Sequence, residues 1–143
     1  MLVIRVAKAS DREEIDQITK EFSDHEYSHS PKYFNEAISS QKLLVALIEN
    51  KVVGYLTYQL IWGNTPFLEL MRVTLSQQNK GIGSELLRKL EIILKKSGYK
   101  VLISSSEEVN EVGNAWHQKK RFEPIGQLKM IYGVEIFYKK EIF

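Results

Sequence analysis

Between Leu43 and Leu94 the hydrophobic pattern changes period once, and that change limits the class of fold open to this chain. Leu43 to Ile48, Val52 to Trp62 and Pro66 to Leu75 read as strands, separated by Asn50-Lys51 and by Gly63-Asn64. Links this short join strands into an antiparallel meander. The apolar positions then fall at helical spacing, with Ile82, Leu86, Leu87, Leu90, Ile93 and Leu94 on one stripe and Gly98 as the glycine past the last turn. A meander that feeds an amphipathic helix must stack sheet and helix around a shared core.

The flanks extend the pattern. Leu2, Ile4 and Val6 alternate as a first strand. Ser10 followed by Glu13 reads as a capping box, so a helix is expected from about Asp11 to Phe22 with Ile15, Ile18 and Phe22 on one face. The polar segment Ser23 to Ser30 reads as a loop, and Pro31 opens a second helix at its first position. After Gly98 come a short strand, Lys100 to Ser104, a helix from about Asn110 to Lys120, and strands near Gln127 to Tyr132 and Glu135 to Glu141. The order β-α-α-β-β-β-α-β-α-β-β predicts an α/β (mixed α+β) fold, a mixed sheet of about seven strands flanked by about four helices. At 143 residues the whole chain, 1–143, fits a single domain.

Composition narrows the function. The net charge is only +2 with both signs interleaved, so no basic footprint for nucleic acid stands out. There is no cysteine, hence no disulfide, no thiolate zinc site and no thiol nucleophile. The longest apolar run, Leu43 to Ile48, is too short to span a bilayer, and no leader pattern opens the chain. These features point to a cytoplasmic protein without a membrane partner.

The segment Gln78-Asn79-Lys80-Gly81-Ile82-Gly83-Ser84 lies between a strand and the long helix. Glycines let a backbone approach a ligand closely, and a helix start supplies N–H donors and the positive end of its dipole. A pyrophosphate suits such a place, with Lys80 as an added charge. A tight turn into a helix is the plainer reading of two isolated glycines. A P-loop would need Gly-Lys-Ser/Thr, and a dinucleotide fingerprint a third glycine where Leu86 stands.

Gln78-x-x-Gly81-x-Gly83, after a fourth strand and before a long helix, resembles the acetyl-CoA signature of the GNAT superfamily of N-acetyltransferases. The resemblance implies that backbone N–H groups of Gln78, Asn79, Lys80, Gly81, Ile82, Gly83 and Ser84 hold the pyrophosphate of acetyl-CoA. It also implies that the Val73 main chain pairs with the pantetheine arm and that its N–H serves as oxyanion donor. Leu75 and Gln77 depart from the proline and tyrosine common there. The segment from Asn110 to Phe122 is similar to the family's second signature: Asn110, Trp116, Lys119 and Phe122 match, and Gly113 stands for the usual alanine. His117 replaces the usual tyrosine and Arg121 the usual glycine. Asn110 is implied to bond the pantetheine arm, alongside the ordinary role of a helix N-cap.

The implied activity is transfer of an acetyl group to an amine, small molecule or peptide, directly in a ternary complex, since no cysteine can carry it. His117 takes the role of acid toward the thiolate, with a buried, satisfied imidazole as the alternative. Glu69 is the first candidate base and Glu107 the second, while Ser105 stands where some relatives place a carboxylate. The loop holding His25, Tyr27 and His29, with Tyr132-Gly133, is expected to border the acceptor. His25 and His29 lack an evident third ligand, so no metal is expected. Two rival functions remain: a non-catalytic acyl-CoA-binding or regulatory domain, and a nucleotide-binding module. The C-terminal strands around Ile136, Phe137 and Ile142 offer edges for a homodimer.

Overall fold

The computed structural model describes residues 1–22 and 30–143. In chain order it contains β1 (Leu2–Val6), α1 (Arg12–Lys20), α2 (Pro31–Ser39), β2 (Leu43–Ile48), β3 (Lys51–Ile61), β4 (Thr65–Val73), α3 (Ile82–Lys96), β5 (Val101–Glu107), α4 (Glu111–Lys119), β6 (Glu123–Met130) and β7 (Gly133–Glu141). Short 3-10 turns occupy Ala9–Asp11 and Leu75–Gln77. The strands form a seven-stranded sheet in the order β1-β2-β3-β4-β5-β7-β6. It is a mixed sheet: β4 and β5 pair parallel, whereas β1–β2, β2–β3, β5–β7 and β6–β7 are antiparallel. The expected fold class and element order are found.

Contacts gather in two compact units, Met1–Tyr58 with Leu70–Ile92 and Gln59–Glu69 with Ile93–Phe143. In the first, Leu43, Leu44, Val45 and Ala46 of β2 have no exposed surface at all, so both faces of the strand are covered. On one face Leu43, Val45 and Leu47 pack with Ile15 and Ile18 of α1, Phe34 of α2 and Tyr55 of β3. The rings of Phe34 and Tyr55 meet edge to face, 5.8 Å apart. On the other face Ala46 lies opposite Gly54 in the β2–β3 register, and Ile82 of α3 sits over that small pair, 3.5 Å from where a Gly54 Cβ would be.

The start of α1 differs from the expected capping box. Ser10 lies inside a 3-10 turn, and Asp11, the N-cap residue of α1, makes no side-chain cap on that helix; its carboxylate accepts instead from the Lys8 N–H at 2.7 Å, at the start of the 3-10 turn. Arg5 on β1 then holds both Asp11 oxygens at 2.8 and 3.0 Å. At α2 the expectation stands, with Pro31 at the first position and the Ser30 hydroxyl accepting from Tyr33 N–H.

In the second unit β5 runs three residues beyond its expected end, to Glu107, because β7 pairs with it from Val101↔Glu141 to Glu107↔Glu135. Three consecutive serines have little strand preference of their own, and the partner strand supplies the reason to stay extended. β6 starts at Glu123, four residues before the expected strand, and every residue in it is exposed, so it carries no burial pattern to read. The expected edge for self-association is displaced: β7 is paired on both sides, Ile142 is buried, and β6 forms the sheet's edge.

Arg5 holds the buried Asp11 carboxylate below the usual carboxylate range, chiefly through their hydrogen bonds. A depressed carboxylate stabilises the fold above its unfolded pKa, near ~3.9, and loses that effect as pH falls through the folded value. Asp11→Asn should therefore destabilise the protein at pH 7 by on the order of 1–2 kcal/mol, discounted because Arg5 is partly exposed. The gap between variant and native should close below about pH 4. Urea unfolding of both proteins at pH 7 and pH 3 measures it.

Candidate active site

The connection from β4 to α3 is built from alternating backbone hands. Gln78 is extended, Asn79 has φ +62°, Lys80 returns to negative φ, Gly81 has φ +81°, and Ile82 begins the helix. Asparagine and glycine are the residues that enter the left-handed region most readily. Successive residues of opposite hand turn their N–H groups toward a common concavity that favours anions. The first bond back along α3 runs from Glu85 N–H to Gly81 O at 3.1 Å, so the N–H groups of Ile82 and Gly83 precede the helical ladder. Gly81 and Lys80 are exposed, and Lys80 Nζ donates to Gln77 Oε1 at 3.2 Å.

The two glycines are there for different reasons. A Cβ on Gly81 would meet nothing within 4 Å, so its positive φ is the constraint. A Cβ on Gly83 would lie 3.1 Å from Met71 Cε, a flexible tip that can yield. Gly54 was not singled out from sequence, yet a Cβ there would stand 3.1 Å from the Arg72 carbonyl oxygen. Its absence lets β4 and the first turn of α3 close on β3. The Thr74 N–H donates to Val53 O at 2.8 Å, so by strand alternation the Val73 N–H and C=O point away from β3. On that side the Val73 carbonyl accepts from the Gln78 amide at 3.1 Å.

In the second unit Asn110 is the N-cap of α4, its Oδ1 accepting from Gly113 N–H at 2.9 Å. Gly113 is small because the cap lies over it: a Cβ would be 2.6 Å from Asn110 Nδ2. Asn114, which the sequence did not flag, fills its hydrogen-bonding capacity. It accepts from Ser106 Oγ and Tyr138 OH at 2.6 and 2.7 Å and donates to the Glu107 and Glu108 carbonyls. No local pattern marks it, because its partners Ser106 and Tyr138 come together with it only in the fold.

His117 is buried. Its Nδ1 lies 2.7 Å from the Gly113 carbonyl, which can only accept, so Nδ1 carries the proton. Nε2, 2.8 Å from Ser104 Oγ, then accepts from that hydroxyl. The ring stacks on Tyr138 at 4.4 Å and meets Trp116 and Phe122 edge to face. Both nitrogens are thus engaged within the protein, and burial lowers the imidazole pKa.

Glu69 and Glu107 stand elsewhere. The registers Phe67↔Ile103 and Ser105↔Phe137, with alternation, put Glu69, Ser105, Glu107 and Glu135 on one face of the strands, while Ser104 and His117 lie on the other. Phe67 stacks on Phe137 across that face. Glu69 accepts from Gln59 Nε2 at 2.8 Å. Glu135 accepts from Ser105 Oγ at 2.7 Å and Tyr132 OH at 2.9 Å, and Tyr132 is pushed up to about 12 by desolvation and Glu135. The structure therefore puts both candidate bases on one face of these strands and the candidate acid on the other. His25, Tyr27 and His29 lie outside the described residues. Among the described residues no cluster of three His, Asp or Glu could hold a metal, and no helix is long and apolar enough to cross a membrane.

The profile of the Acetyltransferase (GNAT) family matches residues 12–121, and the chain belongs to that family, a family of acyltransferases. An N-acetyltransferase from Staphylococcus aureus Mu50 has the same fold, with TM-score 0.82 and 22% identity over 100% of this chain and 99% of that one. The ribosomal-protein-S18-alanine N-acetyltransferase from Escherichia coli superposes with TM-score 0.83 at 19% identity, covering 99% and 94% of the two chains. PaiA N-acetyltransferase from Thermoplasma acidophilum, in complex with coenzyme A, gives TM-score 0.77 at 19% identity over 99% of each chain. No curated protein sequence matches this chain.

The lowered His117 pKa has a consequence for stability. Between the folded pKa and the unfolded value, near ~6.5, the unfolded chain binds more protons, so stability rises with pH through that window. Acidifying from pH 7.5 to 5 should weaken the native fold, and His117→Phe should remove that share of the slope. Urea unfolding midpoints for both proteins along this series measure the difference.

Proposed function

We propose that the protein is an N-acetyltransferase that moves an acetyl group from acetyl-CoA to a cationic amine by direct transfer. The observation that carries this reading is the β4–α3 connection, where Asn79 and Gly81 take left-handed backbone immediately before a helix start. That geometry suits the pyrophosphate of coenzyme A. The N–H groups of Gln78, Asn79, Lys80, Gly81, Ile82, Gly83 and Ser84 would surround it, and no side chain at Gly81 obstructs it. Val73 would offer its main chain to the pantetheine arm once the Gln78 amide releases the carbonyl. Asn110 would add a side-chain contact through the amide that its cap leaves over.

The amine nitrogen attacks the thioester carbonyl, a C–N bond forms, the C–S bond breaks and coenzyme A leaves as the thiolate. In this reading Glu69, steadied by Gln59, accepts the proton released by the amine, with Glu107 as the second candidate. Glu107 and Glu135 are direct cross-strand partners, an arrangement of like charges that is unfavourable without a cation. An acceptor ammonium would relieve it, which favours amines over neutral acceptors. The Escherichia coli neighbour's protein substrate brings peptide N-termini into consideration beside small amines. His117 enters as a packing residue: to protonate the thiolate it would have to release Ser104. The thiolate proton then comes from water.

The same closed His117 environment favours a second reading, an acyl-CoA-binding domain without turnover. Thiol release from acetyl-CoA with polyamines, amino acids, aminoglycosides and peptide N-termini separates the two. Turnover with any of them establishes the enzyme, whereas binding without turnover across the panel leaves the second reading. Gly81→Val should weaken acetyl-CoA binding severely, because a β-branched residue at positive φ costs about 1–2 kcal/mol and reshapes the turn. Unchanged affinity by calorimetry would remove the cradle. With an accepted amine in hand, His117→Phe should keep kcat within about tenfold, short of the 10²–10⁴-fold that a general acid contributes. A larger loss, recovered in part by His117→Tyr, would restore the acid role.

A further inference from the structure

We infer that Glu21 is a positioning residue for the acetyl-CoA cradle, an inference that rests on the reading of that cradle given above. Glu21 follows α1 and lies more than fifty residues from the β4–α3 connection in sequence, yet both of its carboxylate oxygens are bound there. Oε2 accepts from Thr74 Oγ1 at 2.6 Å and Oε1 accepts from Leu75 N–H at 2.8 Å. Leu75 opens the 3-10 turn Leu75–Gln77, and Thr74, its N-cap, makes no side-chain cap of its own. Glu21 supplies that cap from another element. Charge-assisted bonds of this length are the stronger kind, and two of them fix the direction of the chain as well as its place.

Neighbouring contacts hold the carboxylate in register. The Arg72 guanidinium lies 5.5 Å over the Phe22 ring and donates to Tyr55 OH at 3.3 Å. Thr19 Oγ1 donates to Ile15 O, so at 2.8 Å it must accept from Tyr55 OH. The donor chain Arg72 to Tyr55 to Thr19 to the Ile15 carbonyl is therefore determined along its whole length. It fastens the last turn of α1 to the end of β4. Glu21 then fastens the two residues after Val73, from which the chain leads through one 3-10 turn to Gln78.

The sign of the effect distinguishes positioning from simple electrostatics. Glu21 is an anion on the chain that leads into a proposed anion site, so its charge alone disfavours pyrophosphate, and removing it should tighten binding. If its role is to hold Thr74 and Leu75, removing it should loosen binding. Calorimetric titration of coenzyme A into native protein, Glu21→Ala, Glu21→Gln and Gly81→Val, with urea unfolding of each, decides this. Glu21→Ala should weaken coenzyme A by about tenfold, the scale of one charge-assisted hydrogen bond. Glu21→Gln, which keeps one acceptor and loses the charge, should fall between Ala and native. Affinity unchanged or improved in Glu21→Ala overturns the inference, as does weakening that Glu21→Gln does not relieve. If Gly81→Val weakens binding and Glu21→Ala does not, the cradle stands without Glu21. If Gly81→Val leaves binding unchanged, the cradle reading itself fails and takes the inference with it.

Discussion

Strand β2 has no exposed surface on either face over Leu43 to Ala46, and the first unit is organised by that constraint. A strand buried on both sides needs a layer on each. One layer is α1 and α2, through Ile15, Ile18 and Phe34; on the other, Ile82 of α3 sits over Ala46 and Gly54. The small pair sets how deep the helix start can sit. The place of the β4–α3 connection is therefore a consequence of core packing: the residue that begins α3 is also the residue that packs over Ala46 and Gly54. A side chain at Gly54 would move the Arg72 carbonyl and with it the end of β4.

The serine run of β5 divides two environments. Ser104 and Ser106 enter a closed polar network with His117, Asn114 and Tyr138, in which every donor named has an acceptor. Such a network is rigid because any rearrangement leaves a buried polar group unsatisfied. Ser105, between them, faces the opposite way and bonds Glu135 on a face lined by carboxylates. One strand thus bonds α4 through Ser104 and Ser106 and, through the residue between them, bonds an acidic group on its opposite face. Burial on one face and charge on the other follow from the pleat alone.

Recognition of an anion by backbone N–H groups asks little of side chains. It needs conformations that glycine and asparagine reach easily, and a helix start beyond them. That is why a net charge of +2 says nothing against a pyrophosphate ligand. It also accounts for a fold shared with the neighbours described above at identities of 19–22%. Most positions answer only to packing, and packing tolerates many apolar combinations.

The order of elements, the mixed α/β class, the start of α2 at Pro31 and the glycine turn before α3 were legible in the sequence, because each rests on local period or on residues with distinctive backbone preferences. What the sequence left undecided needed a partner distant along the chain. The serines of β5 stay extended because β7 pairs with them, and exposed β6 exists only as β7's neighbour. Ser10 falls inside a 3-10 turn instead of capping α1, and the Asp11 carboxylate beside it is held by Arg5 of β1. Motif position put His117 beside the chemistry, whereas Ser104 and the Gly113 carbonyl enclose its two nitrogens. Glu21 and Asn114 carried no signal in one dimension. A polar side chain's role depends on which donors surround it, and only the folded chain brings those donors within hydrogen-bond reach.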